Sequence, residues 1–325
     1  MRRREVIALA CTALFAWPLV ARAQQPTKIA RLGFLSFGTP SANRLEALLA
    51  GLRDLGYVEG KNLVIELRSP GTVEQMHDAA AELARMKVDI IFALSSTEVE
   101  AARRATSTIP IVFAVHADPE GVGHVASLAR PGGNITGLAM LQTGLTEKRL
   151  ELLKETVPQA SRFGVLWDRT APSYRPFLQT AEATTGKLGV QLRTVGVSTV
   201  EDYAGAFATM ARDRVDGVLV HASTQTARDN PRLLAQLALK HRLPTMFGVR
   251  DNVVAGGLMS YAPDPTDLWR RAAVYIDKIL KGAKPAELPV EQASRYQLVI
   301  NLKTASGLGL TIPPSLLLRA DQVIE

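Results

Sequence analysis

The chain is 325 residues long, 47% apolar and 21% charged, with a formal charge of +7 and a single cysteine. That length implies about two domains, with enough apolar residues for a buried core in each. The excess cations are scattered, as in Arg103-Arg104 and Arg270-Arg271, which excludes the clustered basic stripe of a nucleic-acid binder.

The first segment reads as an export signal. Arg2-Arg3-Arg4 is a basic start, residues 6–20 are apolar, and Ala21-Arg22-Ala23 is an A-x-A cleavage site before Gln24. The apolar run is shorter than the roughly 20 residues a membrane span needs. Residues 1–23 are therefore expected to be a secretory signal cleaved after Ala23, and the mature chain to be periplasmic. The consecutive arginines also suit twin-arginine export, although a plain Sec signal is the simpler reading. Cleavage removes four arginines and Glu5, lowering +7 to +4, and it removes Cys11. The mature chain then has no disulfide or thiol chemistry. Later apolar runs are of strand length, so no membrane span is expected.

Beyond the signal, the apolar pattern alternates between short runs and helical spacing. Strands are predicted at 29–37, 63–67, 88–94 and 109–115, and helices at 43–55, 73–86 and 97–106. Asp118-Pro119 is read as opening a short helix, and Pro131-Gly132-Gly133-Asn134 as a turn before a strand at 135–138. The second half gives helices at 147–157, 176–188, 203–212, 231–241, 265–280 and 303–308. Its strands are 162–167, 191–197, 217–220, 244–247 and 257–261, with Val299 and Ile300 strand-like. Strict alternation implies an α/β fold of parallel sheets covered by helices on both faces.

The two halves repeat at an offset of 127 residues. Thr72-Val73-Glu74 returns as Thr199-Val200-Glu201, Val88-Asp89 as Val215-Asp216, and Ser96-Thr97 as Ser223-Thr224. Two copies of one unit mean two like domains rather than a solenoid. Both copies end on Ser-Thr just past an apolar strand, the edge at which α/β sheets bind ligands. Two facing lobes would make a cleft there.

Ser95, Ser96 and Thr97 precede Glu98 and Glu100 at capping-box spacing. A helix start offers free N–H groups and a positive dipole end, which suits a carboxylate. Asp118 could pair with a ligand amine or cap a helix. His116 and His221 end one strand in each half, facing a cleft or merely the surface. Ser36 and Phe37 close the first strand, and Trp167, Tyr174 and Tyr261 stand at or just beyond other strand ends. Aromatic residues there could wall a cleft, with core packing as the alternative for Trp167 and Phe37. Trp269, inside a long helix, reads as packing. Gly121-Val122-Gly123-His124-Val125-Ala126 fits G-x-G-x-x-A. It follows a late strand and has Thr143 where an acid belongs, so a tight turn is the better reading. No G-x-S-x-G elbow, P-loop lysine motif or H-E-x-x-H occurs. Neither a catalytic residue, a metal nor a cofactor is expected.

Several segments together resemble the periplasmic substrate-binding proteins of ABC transporters, in the tryptophan/tyrosine-type branch. They are Gly51-Leu52 through Gly60-Lys61-Asn62, Ile109-Pro110-Ile111-Val112-Phe113, Asp118-Pro119 and Ala129-Arg130-Pro131-Gly132-Gly133-Asn134-Ile135-Thr136-Gly137. Gly256-Gly257-Leu258-Met259-Ser260-Tyr261 and Leu298 through Ala305, then Ile312-Pro313-Pro314, complete the set. The resemblance covers essentially the whole mature chain. It implies a type I periplasmic-binding fold: two Rossmann-like lobes joined by three crossovers, closing on a ligand. Residues 24–140 with 263–288 would form the N-terminal lobe, and 141–262 with 289–325 the C-terminal lobe. Hinges would lie near 138–144, 262–265 and 288–292. Two loops depart from the branch pattern, Ser95-Ser96-Thr97-Glu98 and His116-Ala117, so an aromatic amino-acid ligand does not follow automatically.

The resemblance thus implies a monomeric solute receptor that hands a small molecule, an amino acid or related carboxylate, to an ABC permease in the inner membrane. Ser36, Phe37, Ser95, Ser96, Thr97, His116 and Asp118 would act from one lobe. Trp167, Tyr174, Ser223, Thr224 and, near a hinge, Tyr261 would complete the site. The same fold could serve as a ligand-sensing partner of a membrane receptor. A two-lobe α/β enzyme would need a nucleophile, metal or cofactor that the chain does not display.

Overall fold

The structure, a computed structural model, describes residues 29–141, 144–221 and 230–325. The expected signal segment and the pair Ser223 and Thr224 lie outside the described residues. Among the described residues no helix is long and apolar enough to cross a membrane.

The first sheet contains β1 (Ala30–Leu35), β2 (Leu63–Arg68), β3 (Ile90–Ala93), β4 (Ile111–His116), β5 (Ile135–Ala139) and β11 (Glu291–Gln292). The second contains β6 (Arg162–Asp168), β7 (Gln191–Val197), β8 (Gly217–Val220), β9 (Thr245–Phe247), β10 (Met259–Pro263), β12 (Tyr296–Asn301) and β13 (Gln322–Ile324). Their orders are β2-β1-β3-β4-β5-β11 and β7-β6-β8-β9-β10-β12-β13. The first five positions are therefore the same in both lobes. The inner strands β3, β4 and β8 are buried at every position, whereas the edge strands β2 and β7 are partly exposed. Parallel strands covered on both faces read as continuous apolar runs for this reason.

The 127-residue repeat has a concrete structural content. Asp89 accepts from the Arg31 amide at 2.8 Å, and Asp216 accepts from the Arg162 amide at 2.9 Å. In return the Asp89 and Asp216 amides donate to the Arg31 and Arg162 carbonyls. Two residues earlier, Lys87 and Arg214 hold φ of 52° and 53°, a left-handed turn that non-glycine residues seldom adopt. Each aspartate thus locks the third strand of its lobe against the first.

Helices cover both faces of each sheet. In the first lobe α1 (Ala42–Asp54) shares one face with the long helix Pro265–Leu280, and α2 (Val73–Arg85) and α3 (Ser96–Ala105) cover the other. Pro265 opens the long helix behind an Asp264 cap that accepts from the Thr266 amide. Trp269 from this helix sits edge-on against Phe34 and Phe92, at 5.7 and 5.9 Å between ring centroids. Burying an aromatic side chain so completely contributes about 1.5–3 kcal/mol. In the second lobe α4 (Leu145–Thr156) and α5 (Tyr174–Lys187) cover one face and α6 (Asp202–Arg212) with α7 (Pro231–Lys240) the other.

Three sequence expectations need correction. The segment after Asp118 is a run of turns, not a helix, because Gly123 takes φ of 74° and breaks the helical path. The sheets are not wholly parallel: β12 runs antiparallel to β10. Tyr296 enters opposite Pro263, where the chain had just left for the other lobe, so it must run back along β10. Finally, Glu291 and Gln292 pair with Leu138 and Ala139 in the first sheet. The third crossover therefore lies at residues 293–295, beyond the boundary drawn at 289.

Candidate functional site

Strands β1, β3 and β4 all end on the side facing the second lobe, and a buried carboxylate binds the loops after β1 and β3 to one another. Glu98 is fully buried and accepts from the Phe37 amide at 2.9 Å and the Ser95 amide at 3.1 Å. The Ser95 hydroxyl donates to the same carboxylate. The capping box expected from the spacing is present, and it does more than cap. Through Phe37 it ties the β1 loop to the start of α3. Ser36 is buried beside it and donates to the Gly38 carbonyl at 3.2 Å.

Behind α3 runs a chain of hydrogen bonds. The Asp118 amide donates to His116 Nδ1 at 3.1 Å, so that nitrogen is the acceptor and Nε2 carries the hydrogen. His116 Nε2 donates to His124 Nδ1 at 2.7 Å, and His124 Nε2 donates to Glu100 at 2.9 Å. The Ser96 hydroxyl lies 3.2 Å from His116 Nδ1 and accepts from the Ala117 amide at 3.1 Å. Burial pushes the His116 pKa well down, with His124 adding to the effect. Burial also lowers His124, against the opposing pull of Glu100. For Glu100, burial is outweighed by hydrogen bonds from Arg104, His124 and Arg103, which hold it below the ordinary carboxylate value. Both imidazoles are thus neutral donors passing one hydrogen each toward Glu100. His116 does not face the cleft but supports Ser96 from behind. Asp118 accepts from the Gly121 amide at 2.9 Å, closing the glycine turn. Among the described residues no His, Cys, Asp or Glu group could hold a metal ion.

In the second lobe Trp167 stacks on Tyr174 with centroids 5.0 Å apart and planes at 22°. Its indole N–H is buried without a hydrogen-bond partner among the described residues. Tyr261 stacks on Tyr296 at 5.8 Å. The Tyr261 carbonyl accepts from Nε of Arg149 at 2.8 Å, and that arginine is buried. Burial lowers the Arg149 pKa. His221 is also buried and lies against the Phe177 ring at 4.1 Å.

Among the chambers that open between the lobes, two lie beside the strand-end loops. An inner one of about 220 Å³ is lined by Ser36, Phe37, Met140 and Trp269 from the first lobe and by Val249 and Asp251 from the second. At its rim Arg44 of α1 forms an ion pair with Asp251 of the second lobe. An outer one of about 620 Å³ lies between Thr97, Glu100 and His124 on one side and Thr170, Tyr174 and Arg175 on the other. Of the residues singled out from sequence, Ser36, Phe37, Thr97 and Tyr174 line a chamber. Ser95, Ser96, His116, Asp118 and Trp167 stand behind that lining, and Tyr261 lines neither chamber. Sequence reading missed Glu98 as an organiser, although the Ser95–Glu98 spacing was its signal. It also missed Arg44, Asp251, Arg169 and Arg175, which carry no motif.

Residues 38–324 match the family described as ABC transporter substrate binding protein. The chain belongs to that family. A tyrosine-binding protein of Clostridioides difficile strain R20291 is 24% identical over 273 residues, 83% of this chain and 78% of that protein. A Vibrio cholerae conserved domain protein superposes with a TM-score of 0.86 at 27% identity, over 91% of this chain and 100% of the other. A Streptococcus pneumoniae ABC domain in complex with L-Trp gives 0.83 at 27% identity, over 91% and 99%. Solute binding for an ABC transporter is therefore the role of this substrate-binding protein, and family and fold are those of binding proteins rather than enzymes.

Proposed function

We propose that this substrate-binding protein is an exported, monomeric receptor that carries a small solute to an inner-membrane ABC permease. The observation that carries the reading is the duplicated strand order, which brings the carboxyl ends of both sheets to one cleft, where chambers are lined from both lobes. Ligands of open α/β sheets bind at such ends. The solute is an amino acid or related carboxylate, in line with the relatives that bind tyrosine and L-Trp. Thr97 and Tyr174 contact it, Phe37 walls the neighbouring inner chamber, Ser95 and Ser96 shape the loop that meets it, and Ser223 and Thr224 act from the second lobe. Residues 1–23 direct export and are cleaved off after Ala23.

Solute bound between the lobes favours the form in which they meet, by its differential affinity for that form. Mass spectrometry of solute released from the purified protein, followed by small-angle scattering with that solute, tests the reading. A bound small molecule and a fall in radius of gyration on refilling the stripped protein are expected. No copurifying molecule, together with a radius indifferent to a broad solute library, would count against a receptor.

A further inference from the structure

The outer chamber is strongly cationic. Its charged lining consists of Arg103, Arg104, Arg169 and Arg175 against one carboxylate, Glu100. That carboxylate is already saturated, with Arg104 at 2.7 Å, His124 at 2.9 Å and Arg103 at 3.0 Å. On the opposite wall Arg175 leans over the Tyr174 ring, 5.6 Å from its centroid, and donates from Nε to the Tyr174 hydroxyl. One acid offsets one of four guanidinium charges, so the described lining keeps an excess of three positive charges. The cations lie on both lobes, Arg103 and Arg104 on α3 and Arg169 and Arg175 on the β6–α5 side. Bringing the lobes together therefore brings like charges together, a cost that an anionic occupant offsets. The first turns of α3 and α5 contribute partial charges of the same sign.

We propose that the solute of this protein carries at least two anionic groups, carboxylate or phosphate, seated in the outer chamber between the arginines of the two lobes. The inference rests on the solute-receptor reading and narrows it. A zwitterionic amino acid would bring an ammonium into this field and leave most of the arginine excess uncompensated. A dianion can give one acid group to each wall, and a guanidinium fork takes either acid group in a bidentate fashion.

Calorimetric titration of the full chain with citrate, phthalate, inorganic diphosphate and L-tryptophan tests this, since the first three separate aliphatic acid, aromatic acid and phosphate. At least one anion is expected to bind tenfold or more tightly than L-tryptophan. Its affinity should fall at least tenfold between about 20 and about 300 mM salt, as screening of exposed charge requires. Arg169→Gln combined with Arg175→Gln should weaken the same anion at least tenfold further at low salt, with an unchanged unfolding midpoint. Tighter binding of L-tryptophan than of every anion overturns the proposal while leaving a receptor for a neutral solute. Anion affinity indifferent to salt and to both substitutions overturns it too. If none of the four probes binds, the dianion class is rejected, and the released-solute mass then decides the receptor reading by itself.

Discussion

At the residue scale the unusual feature is a polar chain, Ser96, His116, His124 and Glu100, that runs from the interior of the first lobe to its surface. Each member is satisfied, which is the condition under which a buried network rigidifies rather than destabilises. The network has a cost that depends on pH. Burial depresses the pKa of both histidines, so near and below an ordinary histidine pKa of about 6.5 the unfolded chain binds protons that the folded chain does not. Stability is full above that value and falls as pH drops through it, by about 1.4 kcal/mol per pH unit for each such histidine. The depressed pKa of Glu100 adds its own loss only in the carboxylate range, at lower pH. Urea unfolding at pH 7.5, 6.5 and 5.5 should show this decline, and a His116→Gln, His124→Gln double variant should flatten it. An equally steep decline in the double variant would mean that other groups are responsible. At the same scale Arg149 is buried with its Nε on the Tyr261 carbonyl. Arg149→Met should cost about 1–3 kcal/mol through the unsatisfied carbonyl, read as a lower urea midpoint. A midpoint unchanged by Arg149→Met would show that the contact is dispensable.

At the element scale two glycines in helices make opposite predictions. A Cβ on Gly51 would lie 2.6 Å from the Arg270 carbonyl and 2.9 Å from Ala273 Cβ, where α1 crosses the long helix. Gly51→Ala should therefore destabilise by about 1–3 kcal/mol through overpacking. Gly205 in α6 has nothing within 4 Å of the same position, and Gly205→Ala should stabilise by about 0.5–1 kcal/mol through helix propensity alone. Thermal melts of the two variants moving in the same direction would refute the contrast. Nearly every helix and strand was legible in the sequence, because apolar periodicity sets them locally. The short pairings of Glu291–Gln292 and Gln322–Ile324 were not, since two or three residues carry no periodicity and find partners only in the assembled sheet. The antiparallel entry of β12 was hidden for a related reason: the local pattern records that a strand exists, not the direction from which the chain returns.

At the scale of the whole molecule the lobes touch through Arg44 and Asp251, whose side chains are 18% and 50% exposed. A half-exposed pair of this kind is worth about 0–1 kcal/mol, enough to shift the balance between apart and together by up to about fivefold. Asp251→Asn should raise the solute-free radius of gyration and weaken solute binding within that factor, without lowering the unfolding midpoint. Unchanged scattering and affinity would show that the pair does not bias closure.

The sequence by itself determined the α/β class, the duplication and the family, because each is written in local periodicity, in matching segments and in a fixed offset. It also marked the loops at the strand ends, through capping spacing and the Ser-Thr repeat. Only the tertiary structure decided which of those residues reach a chamber. Thr97 and Tyr174 do, whereas His116 and Trp167 stand behind them. The cationic outer chamber was equally invisible, because Arg103 and Arg175 are 72 positions apart in the chain and become neighbours across a chamber only when two lobes face each other. Spacing along the chain fixes what a residue does to its own helix or strand; what it does to a ligand depends on long-range packing that no local pattern records.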